Sequence, residues 1–303
     1  MKMSKFIKST LILLVGGFLT KVLGMLIKII TTRIIGTETL GLYMLIMPTF
    51  NLFITLAQGG LPISVSKIVS ENKKDNKKIV FTSIFISICT TFFLMILLIF
   101  ISPLIAKFLH NDSLSFPIMC IGLTLPFISL SGIIRGYFFG KENMFPHVLS
   151  NNFEQVVRII LNIIFLPLLS NYEPRVSVTF LILSNVISET TSIIILYFFL
   201  PKKIKVTKEM LKPEKIIIKD VLNISIPTTG SRIIGTIGYF LEPIVLTSFL
   251  LMNGYTTNYI TYEYGVLTGY VMPLLLLPSF FTMAISQATL PFISNGYANN
   301  KIP

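Results

Sequence analysis

Runs of apolar residues long enough to cross a membrane recur from about Thr10 to Ile293, separated by short polar or basic loops. From Ile79 to Ile105 no residue is charged. At about 1.5 Å of rise per residue that stretch reaches about 40 Å, enough to cross a hydrocarbon core of about 30 Å as a tilted helix. The period-2 alternation of a membrane barrel is absent, and helices are then the spanning element that satisfies its own backbone in lipid. The expected fold is an all-α polytopic bundle of about eight spans, near residues 10–32, 41–64, 79–106, 114–138, 146–170, 176–200, 221–250 and 265–293. Composition agrees: 13% of residues are charged, where soluble domains carry roughly 25%.

The formal net charge of +12 raises the question of nucleic acid. Its distribution answers against that, because the lysines cluster in loops between apolar runs. Lys2, Lys5 and Lys8 precede the first span. Lys67, Lys73, Lys74, Lys77 and Lys78 follow the second, and Lys141 follows the fourth. Seven lysines, from Lys202 to Lys219, fill the polar stretch after the sixth. By the positive-inside rule the N-terminus and these loops are cytoplasmic, giving a multi-pass protein of the cell membrane. The stretch 201–220 reads as a basic cytoplasmic linker, with a six-helix lobe at 1–200 and two helices of a second lobe at 221–303. The first run contains Lys21 and lacks a small-residue cleavage signature, so it reads as a retained span and not a signal peptide. Cys89 and Cys120 lie in apolar runs without a partner at metal-ligand spacing and are expected to be buried.

Charged residues inside the spans are costly and therefore informative. Lys21 and Lys28 stand two helical turns apart with Gly24 between them, a cationic stripe beside a small residue. Such a stripe can line a hydrated cavity that attracts an anionic group, or its lysines can snorkel to the interfaces. Arg232 follows Pro227-Thr228-Thr229-Gly230-Ser231, a segment able to kink and to turn a guanidinium toward phosphate oxygens or toward a neighbouring helix. Glu154 and Arg158 are spaced to neutralise each other on one helix face. Arg135 is expected near headgroups. Glu189 and Glu242 are candidates for carrying a coupling proton or for an ion pair. Gly59-Gly60 before Pro62 reads as a hinge or a close-packing site.

No P-loop, dinucleotide fingerprint, nucleophile elbow or metal-spaced carboxylate cluster is present, so neither catalysis nor a cofactor or metal is expected. A weak internal echo links span one to span seven, Lys21-Val22-Leu23-Gly24 to Arg232-Ile233-Ile234-Gly235. It also links span two to span eight, which run from Gly41 or Gly265 through Met-Pro to Leu61-Pro62-Ile63-Ser64 or Leu290-Pro291-Phe292-Ile293-Ser294. The echo runs in parallel, as for lobes related by an axis along the membrane normal.

The text Gly16-Gly17-Phe18-Leu19-Thr20-Lys21-Val22-Leu23-Gly24, then Thr32-Arg33-Ile34-Ile35-Gly36-Thr37-Glu38-Thr39-Leu40-Gly41-Leu42-Tyr43, resembles polysaccharide biosynthesis proteins of the MATE-like flippase superfamily, in particular the stage V sporulation protein B group. Gln58-Gly59-Gly60-Leu61-Pro62 and Gly132-Ile133-Ile134-Arg135-Gly136-Tyr137-Phe138 carry the same resemblance. It implies fourteen helices that move lipid-linked sugars across the cytoplasmic membrane, with the sporulation branch serving spore cortex peptidoglycan. It further implies cavity-facing bases in the first helix and in the seventh or eighth. Here these are Lys21, Lys28 and Arg232, with Arg33 at the external mouth. With eight spans expected, the chain reads as a C-terminally truncated member.

The expected function is therefore flipping of an undecaprenyl-linked sugar or lipid II-like precursor, with membrane lipids and envelope-synthesis proteins as further candidate partners. The alternatives are a cation-coupled multidrug exporter, which needs acidic groups in its cavity, and a non-transport scaffold of an envelope-assembly complex.

Overall fold

A computed structural model describes residues 5–72, 75–201 and 214–276, with 278, 279, 281–283, 285, 286, 289, 290 and 293, and side-chain surroundings from Ser9 onward. Its first helix, α1, runs Lys5–Gln58. At 1.5 Å per residue a straight helix of that length would reach about 80 Å, more than twice the hydrocarbon core. The helix is broken at Gly36, whose φ of 78° and ψ of 165° is a conformation that essentially only glycine adopts. The expected loop between spans one and two is thus a single-residue kink. Arg33 and Glu38, which suggested a loop, lie on helical turns on either side of it.

After α1 the chain turns at Gly59 and Gly60, both with positive φ, and enters the short α2 (Leu61–Glu71). Span two was expected to run on through these glycines to residue 64. It ends at Gln58 because two consecutive left-handed residues cannot continue a helix. Then come α3 (Asn76–Phe108), α4 (Ser115–Gly140), α5 (Phe145–Leu169), α6 (Pro174–Phe199) and α7 (Lys215–Met252). A short α8 (Thr257–Val266), a π-helical segment (Leu267–Val271) and α9 (Met272–Leu275) follow. Six of the described helices are long and apolar enough to cross a membrane, with the kinked α1 and α2 counted as one of them. The rest of expected span eight, including Pro291 and Phe292, lies largely outside the described residues. So do Lys73, Lys74, Glu209 and five linker lysines, Lys202, Lys203, Lys205, Lys208 and Lys212. Lys215, Lys219 and Asp220, expected in the linker, belong to the first turns of α7.

Partner residues give the helix directions. Gly16 meets Val148, Thr20 bonds Asn152, and Asn162 bonds Thr31. The numbers rise together, so α1 and α5 are parallel neighbours. Likewise Lys78 pairs with Glu214 and His110 with Ser248, which makes α3 and α7 parallel. In contrast, α5 and α6 are antiparallel: Phe145 meets Phe199, Arg158 meets Ser188 and Phe165 meets Phe180. This is the alternation that successive membrane crossings require.

Burial separates the centre of the bundle from its edge. The most apolar window of α4 is 72% buried, whereas that of α3 is 22% buried. Exposed Phe92, Phe93 and Phe100 line the outer face of α3, as side chains facing lipid would. Cys89 is exposed on α3 and only Cys120 is buried. Apolar character therefore did not imply burial for Cys89, because in lipid the outside of the bundle is apolar too. The main core is built by the second half of α1 with α3, α4 and α6, including Leu45, Ile46, Leu98, Ile121 and Ile182.

Gly132, Gly136 and Gly140 recur every fourth residue along α4 and bring α2 into close approach. A Cβ at Gly136 would lie 2.4 Å from the Pro62 carbonyl oxygen and one at Gly140 would lie 2.6 Å from that of Ser66. Gly136→Val is expected to cost at least about 1–3 kcal/mol, as over-packing against backbone does, and thermal unfolding in detergent measures it.

Candidate functional site

Two cavities with charged and polar side chains in a largely apolar lining open beside α1. One, of about 330 Å³, is lined by Lys21, Gly24 and Lys28 of α1, Tyr239 of α7, Thr268 of the π segment and Pro273 of α9, among others. The other, of about 340 Å³, shares Gly24, Lys28, Tyr239 and Thr268 and continues to Asn51 of α1 and Arg158 of α5. Both lysines are half-buried. The Lys28 Nζ donates to the Thr268 carbonyl at 3.2 Å. That carbonyl belongs to Leu267–Val271, a π-helical turn of the kind that re-aims backbone groups and concentrates at functional sites.

Small residues make room for this arrangement. A Cβ added at Gly24 would meet nothing within 4 Å, so the space between the two lysines is open. Farther along, Gly41 and Gly265 press backbone on backbone: a Cβ at Gly265 would lie 2.8 Å from the Gly41 Cα, and one at Gly41 would lie 2.1 Å from the Thr261 carbonyl oxygen. The two glycines that open the echoed segments thus meet face to face, and this contact holds α8 and the π segment against α1.

The other sequence-predicted residues lie elsewhere. Arg33 and Arg232 are exposed and line neither of these cavities. The expected grouping of four bases around one opening is therefore reduced to Lys21 and Lys28. The 3.6-residue period dictates that these two share a helix face, whereas Arg33 and Arg232 needed tertiary packing to reach it. Glu242 is half-buried on α7 near Tyr239 and Tyr264 and makes no ion pair among the described residues.

Glu189 belongs to a four-residue charge cluster between α4, α5 and α6. Arg135 Nη2 donates to Glu154 Oε2 at 2.8 Å and to Ser192 Oγ at 2.7 Å, and lies 3.6 Å from Glu189 Oε2. Arg158 Nη2 donates to Glu154 Oε1 at 2.8 Å and to Ser188 Oγ at 3.3 Å. The cluster is neutral, two guanidiniums against two carboxylates, and its side chains are 6–20% exposed. Arg135, expected at the headgroups, is half-buried at its centre. The expected Glu154–Arg158 pair is present, but Glu154 is shared between two arginines on different helices.

Arg158 is the cavity residue that sequence reasoning passed over as a local ion pair. Gln155, Arg158 and Asn162 all line the larger cavity. Their spacing of three and four residues marks one polar face on α5, and that stripe was the available signal.

Taken together, the parallel pairs α1 with α5 and α3 with α7, a central α4 and an opening beside a kinked α1 define a multi-pass helical membrane bundle. Its architecture is that of solved MATE transporters. The MATE multidrug transporter DinF-BH superposes with a TM-score of 0.75 at 17% identity, over 98% of this chain and 66% of that one. The chain belongs to the polysaccharide biosynthesis protein family, whose model matches residues 6–296. Stage V sporulation protein B of Bacillus subtilis (strain 168) is 38% identical over 98% of this chain, which spans 60% of the relative's length. Lipid II flippase MurJ of the same organism is 27% identical over 52% of this chain and 31% of its own.

Proposed function

We propose that this chain takes part in flipping a lipid-linked oligosaccharide or peptidoglycan precursor across the cytoplasmic membrane, in envelope or spore cortex synthesis. The observation that carries this reading is the lysine pair of α1 lining one opening of the bundle with no carboxylate beside it among the described residues. A diphosphate headgroup would be attracted there by Lys21 and Lys28 while its polyprenyl tail stays in lipid. The name of one Bacillus subtilis relative, a lipid II flippase, supports this substrate class, and that of another, a sporulation protein, supports the setting. In this reading the N-terminus is cytoplasmic, residues 1–200 form the first lobe, a basic connector follows at 201–220, and residues 221–303 begin a second lobe. Arg33 and Arg232 would then meet the headgroup only as the lobes rearrange.

The multidrug-exporter alternative has the fold in its favour. Its substrates are cationic, and the described residues lining the two cavities include Lys21, Lys28 and Arg158 with no Asp or Glu among them. That charge balance repels a cation.

Flipping of fluorescent lipid II in proteoliposomes tests the proposal. Replacing both Lys21 and Lys28 by Gln removes two charge-assisted contacts and is expected to slow flipping by at least about tenfold. An unchanged rate in a correctly folded double variant would remove the cavity from the mechanism.

A further inference from the structure

We propose that Arg158 and Asn162 on α5 form the second half of the headgroup site, facing the same cavity as Lys28 and taking a glycosyl phosphate. Arg158 would bind the phosphate and Asn162 a hydroxyl of the adjoining sugar. This deepens the flippase reading and rests on it.

The geometry singles out these two side chains because each has hydrogen-bonding capacity that the protein leaves unused. Both bonds that Arg158 makes to protein leave from Nη2, to Glu154 and Ser188. Its Nε is buried without a partner. A guanidinium has five donors in a planar fork, so it can hold a carboxylate with one edge and still offer others to a phosphate. Asn162 is fully buried, its Nδ2 donates to Thr31 Oγ1 at 2.9 Å, and its Oδ1 has no partner. Turning the amide would exchange which atom is left over. A sugar hydroxyl, being donor and acceptor at once, satisfies either orientation.

The spacing fits the chemistry. Arg158 and Asn162 are four residues apart, so they are neighbours on one helix face, roughly 5–6 Å between Cβ atoms. The phosphorus of a glycosyl phosphate and a hydroxyl on the far side of its sugar ring are separated on that scale. The cavity they share with Lys28, about 340 Å³, lies within the roughly 300–1,000 Å³ of small-molecule sites.

Sharing also makes Arg158 responsive. Its partner Glu154 is already held by Arg135, so a phosphate can draw on Arg158 without leaving that carboxylate unpaired. Cavity occupancy is thereby linked through Glu154 to the cluster between α4 and α6.

Binding to the full chain in nanodiscs, followed by native mass spectrometry, separates the parts. The probes are undecaprenyl diphosphate and its N-acetylglucosaminyl derivative. Arg158→Gln is expected to weaken both by at least about tenfold, the loss of one charge-assisted bond. Asn162→Ala is expected to weaken the sugar-bearing lipid alone. Glu154→Gln, which releases the guanidinium from its carboxylate, is expected to tighten both lipids. Should Arg158→Gln not fold, Arg158→Lys keeps the charge but loses the fork, and weaker binding of both lipids is again expected. Wild-type affinity in these Arg158 and Glu154 variants, with binding lost in Lys28→Gln, would overturn the role of Arg158 and leave the lysine cavity standing. Failure of the unaltered chain to bind either lipid saturably would overturn the flippase reading itself.

Discussion

Arg135→Gln is expected to destabilise the bundle by about 3–5 kcal/mol, the cost of breaking a buried ion pair from one side. The side chain is 17% exposed and serves Glu154, Ser192 and Glu189. Without it Glu189 loses its 3.6 Å counterion and Glu154 keeps only Arg158. Both carboxylates stay where water cannot solvate them, so the penalty is their uncompensated burial and not the lost bonds alone. Thermal unfolding in detergent measures the loss. Arg135→Gln combined with Glu189→Gln is expected to recover part of it, because the orphaned charge is then gone. Arg175→Gln provides the contrast: its pair with Glu173 is 54% and 68% exposed, and its removal is expected to change stability by less than about 1 kcal/mol. Equal losses at Arg135 and Arg175 would show that burial of the cluster does not govern its energetics.

Gly41→Leu is expected to have the second large effect, on both stability and ligand binding. Even the first carbon of a side chain would sit 2.1 Å from the Thr261 carbonyl oxygen, so backbone must retreat from backbone. Over-packing of this kind costs at least about 1–3 kcal/mol. The consequence reaches the cavity because α8 leads directly into the π segment whose Thr268 carbonyl holds Lys28. Displacing α8 releases Lys28 and opens the wall between Tyr239 and Thr268. Reduced thermal stability together with weaker binding of undecaprenyl diphosphate is the expected result. Gly235→Ala serves as the control, since its Cβ meets nothing within 4 Å, and no loss of stability is expected there. Binding unchanged in Gly41→Leu would detach the α1–α8 contact from the site.

The cavity and the charge cluster divide the work of the first six helices. Lys21 and Lys28 offer charge to a ligand, while Arg135 and Arg158 balance Glu154 and Glu189 between α4, α5 and α6. Arg158 belongs to both groups, and this double membership is why its replacement is expected to act on binding as well as on packing.

Much of this was legible in the residues. Length and lack of charge gave α3 to α6 within three positions, while α7 begins six residues before its expected start, and the two-turn spacing of Lys21 and Lys28 put them on one face. The echo singled out Gly41 and Gly265, but that the two meet as backbone on backbone was not legible in it. Other readings failed for identifiable reasons. A polar stretch around Arg33 and Glu38 looked like a loop, yet a single glycine kink carries the chain round. Arg135 looked interfacial because its depth, and not its neighbours, was the available clue.

What the amino-acid sequence determined by itself is the solvent it can live in and the elements it must form: apolar runs of this length require helices that satisfy their own backbone in lipid. Which helix faces which was decided only by the tertiary structure. In water an amphipathic face points to the core, but apart from α5 and the short α2 these helices are apolar nearly all round, so hydrophobic periodicity gives little direction. Close glycine contacts and the pairing of buried charges set their rotation instead. Those are matters of shape and partner across the bundle, and they brought Arg158 to the cavity and left Arg232 outside it.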